Sequence, residues 1–144
     1  MTSKRETVLA AVRTLIAGAL PAAEVKRNLA KAERIPPGGL AVVRDGDPGE
    51  PETTLSPLTY HFEHRIAVEI AASEAAGTPR EQALDAMLRA IGTAVAANRT
   101  LGGLCDWLDA EAPSTDDAEA TGSLPVRFAL LTIVASYATT DPLN

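Results

Sequence analysis

Between Leu58 and Ala72 (LTYHFEHRIAVEIAA), apolar and polar residues alternate with a period of two. Leu58, Tyr60, Phe62, Ile66, Val68 and Ile70 fall on one side, and Thr59, His61, Glu63, Arg65 and Glu69 on the other. A pleated strand points successive side chains to opposite faces, so the pattern predicts one long strand with a dry face and a wet one. At roughly 3.3 Å per residue this segment would reach about 50 Å, against about 17–20 Å for an ordinary strand. A strand that outruns its own domain needs a partner, and the feature points toward assembly.

Elsewhere the period shifts to that of a helix. Ser3-Lys4-Arg5-Glu6 is a capping box, followed by an apolar stripe at Val8, Val12, Leu15, Ile16 and Ala19. Pro21 ends it, because proline cannot continue the hydrogen-bond ladder. Thr78-Pro79-Arg80-Glu81 predicts a second helix start, with Thr78 as N-cap, Pro79 in the first turn and Glu81 completing another capping box. Leu84, Met87, Leu88, Ile91 and Val95 mark its buried stripe, and the run 98–103 (NRTLGG) breaks it.

Three further segments read as strands. Leu40–Arg44 (LAVVR) is short, and Leu104–Glu111 has Trp107 as its one large anchor. Val126–Tyr137 (VRFALLTIVASY) is apolar on both alternations, as a central strand buried on two faces would be; a buried helix is the rival reading, but Phe128, Thr132, Ile133 and Val134 favour a strand. Between these lie a connector ending in Ile35-Pro36-Pro37-Gly38-Gly39, a Pro- and acid-rich arm over residues 45–57, and an acidic Ser/Thr/Gly loop over residues 112–123. The order is α-β-β-α-β-β. It predicts an α+β fold in one domain over residues 1–144: a roughly four-stranded, antiparallel-rich sheet with two helices packed on one face.

A chain of 144 residues buries roughly 68–70% of its unfolded surface, enough for one core without staples. Aromatics make up only 3%, so that core is aliphatic. The single Cys105 excludes an internal disulfide and fits a small buried hydrophobe. Residues 1–34 hold seven Lys/Arg against three Asp/Glu, and the remainder six against sixteen. An acidic body of this kind repels a phosphate backbone, while the basic stretch 22–35 can line a DNA path or meet an acidic partner. Lys4, Arg5 and Glu6 precede an amphipathic pattern rather than a signal peptide, and no run approaches the ~20 apolar residues of a membrane span.

Candidate chemistry is sparse. His61 and His64 face opposite ways on one strand and cannot chelate one ion from it; His64 reads as a core group, and His61 can pair with Glu63 or Glu69. Asp45-Gly46-Asp47 begins like a calcium loop, but Pro48 and Pro51 intrude and no glutamate stands at the twelfth place. The glycine pairs 38–39 and 102–103 lack the lysine and spacing of a phosphate cradle. Asp106, Asp109, Glu111, Asp116, Asp117 and Glu119 read as a solvated acidic face. The expectation is therefore no catalytic residue, no metal site and no cofactor.

The segments SKRETVLAAV, IPPGGLAVVRDGDPGEPETTLSP, TYHFEHRIAVEI, RTLGGLCDWLDAEAP and YATTDPL, in that order and spacing, resemble the lambda-like tail terminator and minor tail proteins of long-tailed phages and gene-transfer particles. The resemblance runs along nearly the whole chain on dispersed apolar and turn patterns. It implies a non-enzymatic structural protein that forms a homo-hexameric ring on the tail tube, stops tube polymerisation and presents the surface to which the head docks. Its partners would be itself, the tube protein and a head-completion or connector protein, with DNA passing through the lumen unbound and no membrane involved. It would sit in the host cytoplasm during assembly and then at the neck end of the virion tail. Asp45, Asp47, Glu50 and Glu52 of the arm, with His61, Glu63, Arg65 and Glu69 of the strand, are the candidate subunit or tube contacts. The arm is expected to be mobile until it binds. Rival readings are another neck component, a small cytosolic enzyme using Cys105, and an adaptor that binds by strand addition.

Overall fold

The computed structural model describes residues 2–30, 35–74, 77–118 and 126–144. Parts of the expected basic segment and acidic loop, including Glu119, lie outside them. Helix α1 (Lys4–Ala19) begins as its capping box predicts: Ser3 is extended and its Oγ accepts the Glu6 N–H at 3.1 Å. It buries Val8, Leu9, Val12 and Ile16, and stops short of Pro21. Helix α2 (Arg80–Ala97) buries Leu84, Met87, Ile91 and Val95. Its start differs from the expected box. Pro79 occupies the cap with no side-chain bond, and the Glu81 carboxylate turns to Arg80 at 3.2 Å.

Among the described residues seven strands form one mixed sheet: β1 (Glu24–Arg27), β2 (Leu40–Val43), β3 (Glu52–Thr54), β4 (Thr59–Ser73), β5 (Trp107–Ala110), β6 (Ser114–Ala118) and β7 (Val126–Thr139). The order is β1-β2-β4-β7-β5, with β3 added to β4 and β6 to β7. Only β1 and β2 run parallel. The fold is α+β, as the periods predict, but the count of four strands is corrected. The four expected strands are β2, β4, β5 and β7. The additions EVKR, ETT and STDDA are short and mostly polar, so no alternation announces them, and each is held by backbone bonds to a more apolar neighbour, β2, β4 and β7 respectively.

The long strand finds its partner inside the chain. β4 and β7 pair in register from Tyr60↔Thr139 to Ser73↔Val126, so the length of β4 alone asks for no second molecule. Both helices pack on the face that carries Phe62, Ile66, Val68 and Ile70 of β4 and Ala129, Leu131, Ile133, Ala135 and Tyr137 of β7. This is the core. On the opposite face Leu29 and Ile35 lie against Leu40, Val42, Ala71 and Val126 and, among the described residues, cover one corner.

That incomplete cover overturns two expectations. β7 is central but buried mainly on one face; beyond Val126 its other alternation is half-buried or exposed. Trp107 is no anchor: it points to the bare face, 52% exposed, and Leu108 is the core residue of β5. Among the described residues no helix is long and apolar enough to cross a membrane.

Candidate assembly surface

The arm is tied down at its root. Arg27 of β1 makes two forked bonds, to Glu6 of α1 at 2.5 and 2.8 Å and to Asp45 at 2.7 and 3.0 Å. The guanidinium lowers the pKa of both carboxylates below the usual range, chiefly through these hydrogen bonds. The Asp45 main chain is held as well: its N–H donates to Asn28 Oδ1 at 3.0 Å, and its carbonyl accepts from His64 Nε2 at 2.6 Å. A carbonyl can only accept, so Nε2 carries the proton and Nδ1 accepts from the Tyr137 hydroxyl at 3.0 Å. His64 is thus the satisfied core group that its place on the dry alternation predicts. Burial is the largest influence on it and pushes its pKa down. Gly46 then turns the chain with φ 63°, where a Cβ would stand 2.6 Å from the Arg65 carbonyl. No other residue fits that approach.

Beyond this root the arm is exposed, with Asp47 Oδ1 accepting from the Gly49 N–H at 2.9 Å in a tight turn. The arm returns to the sheet as β3, where Thr54 stands by the hairpin and its Oγ1 lies 3.0 Å from His61 Nε2. His61 therefore partners Thr54 rather than the expected Glu63 or Glu69. Glu50, Glu52, His61 and Glu63 come together, with Asp106, around a cleft of about 550 Å³.

Arg65 and Glu69 lie farther along the same face, and each is already paired. Arg65 meets Glu111, and Arg44 meets Glu69 at 3.0 Å. A third pair, Arg99–Asp109 at 2.9 Å, places the Arg99 guanidinium 4.9 Å from the centre of the Trp107 ring, a cation–π stack. Leu130 adds a second exposed apolar side chain, beside a cleft of about 450 Å³ lined by Phe128, Asp116 and Glu69. The bare face is thus a two-sign surface whose charges are mostly answered within the subunit, around an apolar strip. Asp45, by contrast, belongs to the arm's root.

Sequence reading missed Arg27, Arg44, Arg99, Leu130 and Leu55; it placed Leu58 on the strand's dry side, where the structure has it exposed in the β3–β4 turn, and read Glu111 as a solvated acid, where it pairs with Arg65. Of those missed, Leu55 alone had a local signal, as a lone apolar residue in a Pro- and acid-rich stretch. The cations are identified by long-range pairing, which period does not encode.

Cys105 is buried, its Sγ 3.8 Å from the Arg99 carbonyl, and desolvation raises the thiol pKa. A nucleophilic role needs the opposite shift. Among the described residues no three His, Cys, Asp or Glu side chains are grouped to hold a metal ion. No protein-family model matches the chain, and no curated protein matches it in sequence.

Proposed function

We propose that this chain is a structural subunit of a tail terminator ring, which caps the tail tube, ends its polymerisation and offers the head its docking surface. It would act in the host cytoplasm during assembly and remain at the neck end of the virion tail. The observation that carries the reading is the sheet's bare face, where Trp107 and Leu130 stand exposed among ion pairs. Exposed aromatic and aliphatic side chains ringed by polar groups are the make-up of a protein contact rather than of a reaction centre. The resemblance of the sequence to tail terminators supplies the kind of contact, with itself, with tube protein and with a connector. An overall acidic chain is also suited to a lumen that DNA crosses without sticking.

Deleting the gene in its own particle tests the reading by electron microscopy of tail length. Overlong tubes are the expected result. Tails of normal length without heads would assign the chain to the connector instead, and tails of normal length with heads would remove it from the neck.

A further inference from the structure

Four hydrogen bonds converge on Asp45, just past the end of β2. Two come from the Arg27 guanidinium to its carboxylate, one joins its N–H to Asn28, and one joins its carbonyl to His64. The far end of the arm is fixed separately, because β3 pairs with β4 from Glu52↔His61 onward. Residues 45–51 are therefore a strap held at both ends.

One of the four bonds differs in kind, because its donor is titratable and lies inside the core. His64 is fully buried, and the strap's root is what closes over its Nε2. The Asp45 carbonyl stands 2.6 Å from that nitrogen, and a Cβ on Gly46 would stand 4.0 Å from it. At the other side of the ring Nδ1 faces the Tyr137 hydroxyl, which makes no other hydrogen bond among the described residues. The neutral ring satisfies both partners with one proton. A second proton would turn Nδ1 into a donor and force the buried hydroxyl to point its own hydrogen away from any acceptor.

The charges around the ring do not reverse this. Burial is the largest influence and disfavours the imidazolium, and Arg5 of α1 acts the same way; Asp45 and Asp47 of the arm favour it. Asp45, however, is already answered by Arg27. Lifting the root admits water to Nε2, and the ring then takes a proton at its ordinary pKa of about 6.5. Acid thus favours the lifted state by linkage, at most tenfold per pH unit.

We propose that the arm's root is a pH-sensitive latch, in which protonation of His64 favours a state with residues 45–51 lifted off the body. The arm is strapped down at neutral pH and loosened in mild acid. The latch belongs to the single subunit and stands whether or not a ring forms.

Hydrogen exchange of the full chain, followed by mass spectrometry and corrected for the intrinsic pH dependence of exchange, reads the opening of residues 44–52. Arg27 holds Glu6 and Asp45 below the usual carboxylate range, so both stay charged between about pH 7.5 and 5.5. Over that interval opening should rise roughly three- to tenfold. His64→Gln keeps a donor for the Asp45 carbonyl but cannot titrate, and should show no rise. A second measurement leaves His64 in place. Arg27→Gln loosens the root from its other side, and by reciprocity an NMR titration should find the His64 ring taking its proton at higher pH than in the parent. Equal pH dependence of opening in the parent and His64→Gln would overturn the latch, as would a His64 titration unmoved by Arg27→Gln. Arm amides that exchange only as fast as those of Ile66 and Val68 would also overturn it, since that opening is global unfolding.

Discussion

Arg65 and Ile66 are neighbours in sequence and live on opposite sides of one sheet. Ile66 is fully buried beneath the helices, and Arg65 is exposed on the bare face with Glu111 as its partner. The same contrast holds along β4: the dry alternation is fixed by packing, while the wet one is answered by charges from distant segments such as Arg44 and Glu111. Most of the stability therefore belongs to one face, and the part of the other beyond the Leu40–Val42–Ala71–Val126 corner is free to carry contacts. A protein whose second face were also structural would bury it under another layer.

The sharpest way to break this contrast is to alter the two neighbours separately. Ile66→Ala should cost about 2–5 kcal/mol in chemical denaturation, through lost transfer energy and the cavity left behind. Arg65→Ala should leave Tm within error at physiological salt, because an exposed pair is screened. Equal losses for the two variants would mean that the bare face is structural after all.

His64 comes next, as the polar exception on the dry face. His64→Phe leaves the Tyr137 hydroxyl and Asp45 carbonyl without their partner, at about 1–3 kcal/mol. It also carries a pH signature. Burial depresses the folded pKa below the unfolded value of about 6.5, so the unfolded chain binds the proton more readily. The neutral ring's contribution is complete above pH 6.5 and is lost as pH falls below it toward the folded pKa. Denaturation across pH 5 to 8 should show that slope in the parent and not in His64→Phe.

A smaller loss than at Ile66 or His64 concerns the arm's root. Arg27→Lys keeps the charge but cannot fork to Glu6 and Asp45 together, and should cost about 1 kcal/mol after allowance for solvent screening. Faster proteolysis within residues 46–52 would accompany it if this root holds the arm in place.

Much of the frame was legible in the chain. The caps and stripes gave α1 and the body of α2, and alternation placed β4 within one residue of its ends. What period could not supply was everything set by tertiary pairing. β1, β3 and β6 have too few apolar side chains to be seen alone. Trp107 looked like an anchor because a large aromatic is usually buried, yet β5 turns it away from the helices and stacks it on Arg99. The excess length of β4 suggested an external partner, when β7 matches it residue for residue. Of the candidate contacts, the structure gathers Glu50, Glu52, His61 and Glu63, pairs off Arg65 and Glu69, and assigns Asp45 to the arm's anchor.

Mass photometry of the purified full chain from nanomolar to micromolar concentration, with and without tube protein, bears on the assembly reading at its root. A single closed species at six times the subunit mass, sharpened or promoted by tube protein, is the predicted result. A clean monomer throughout would contradict it.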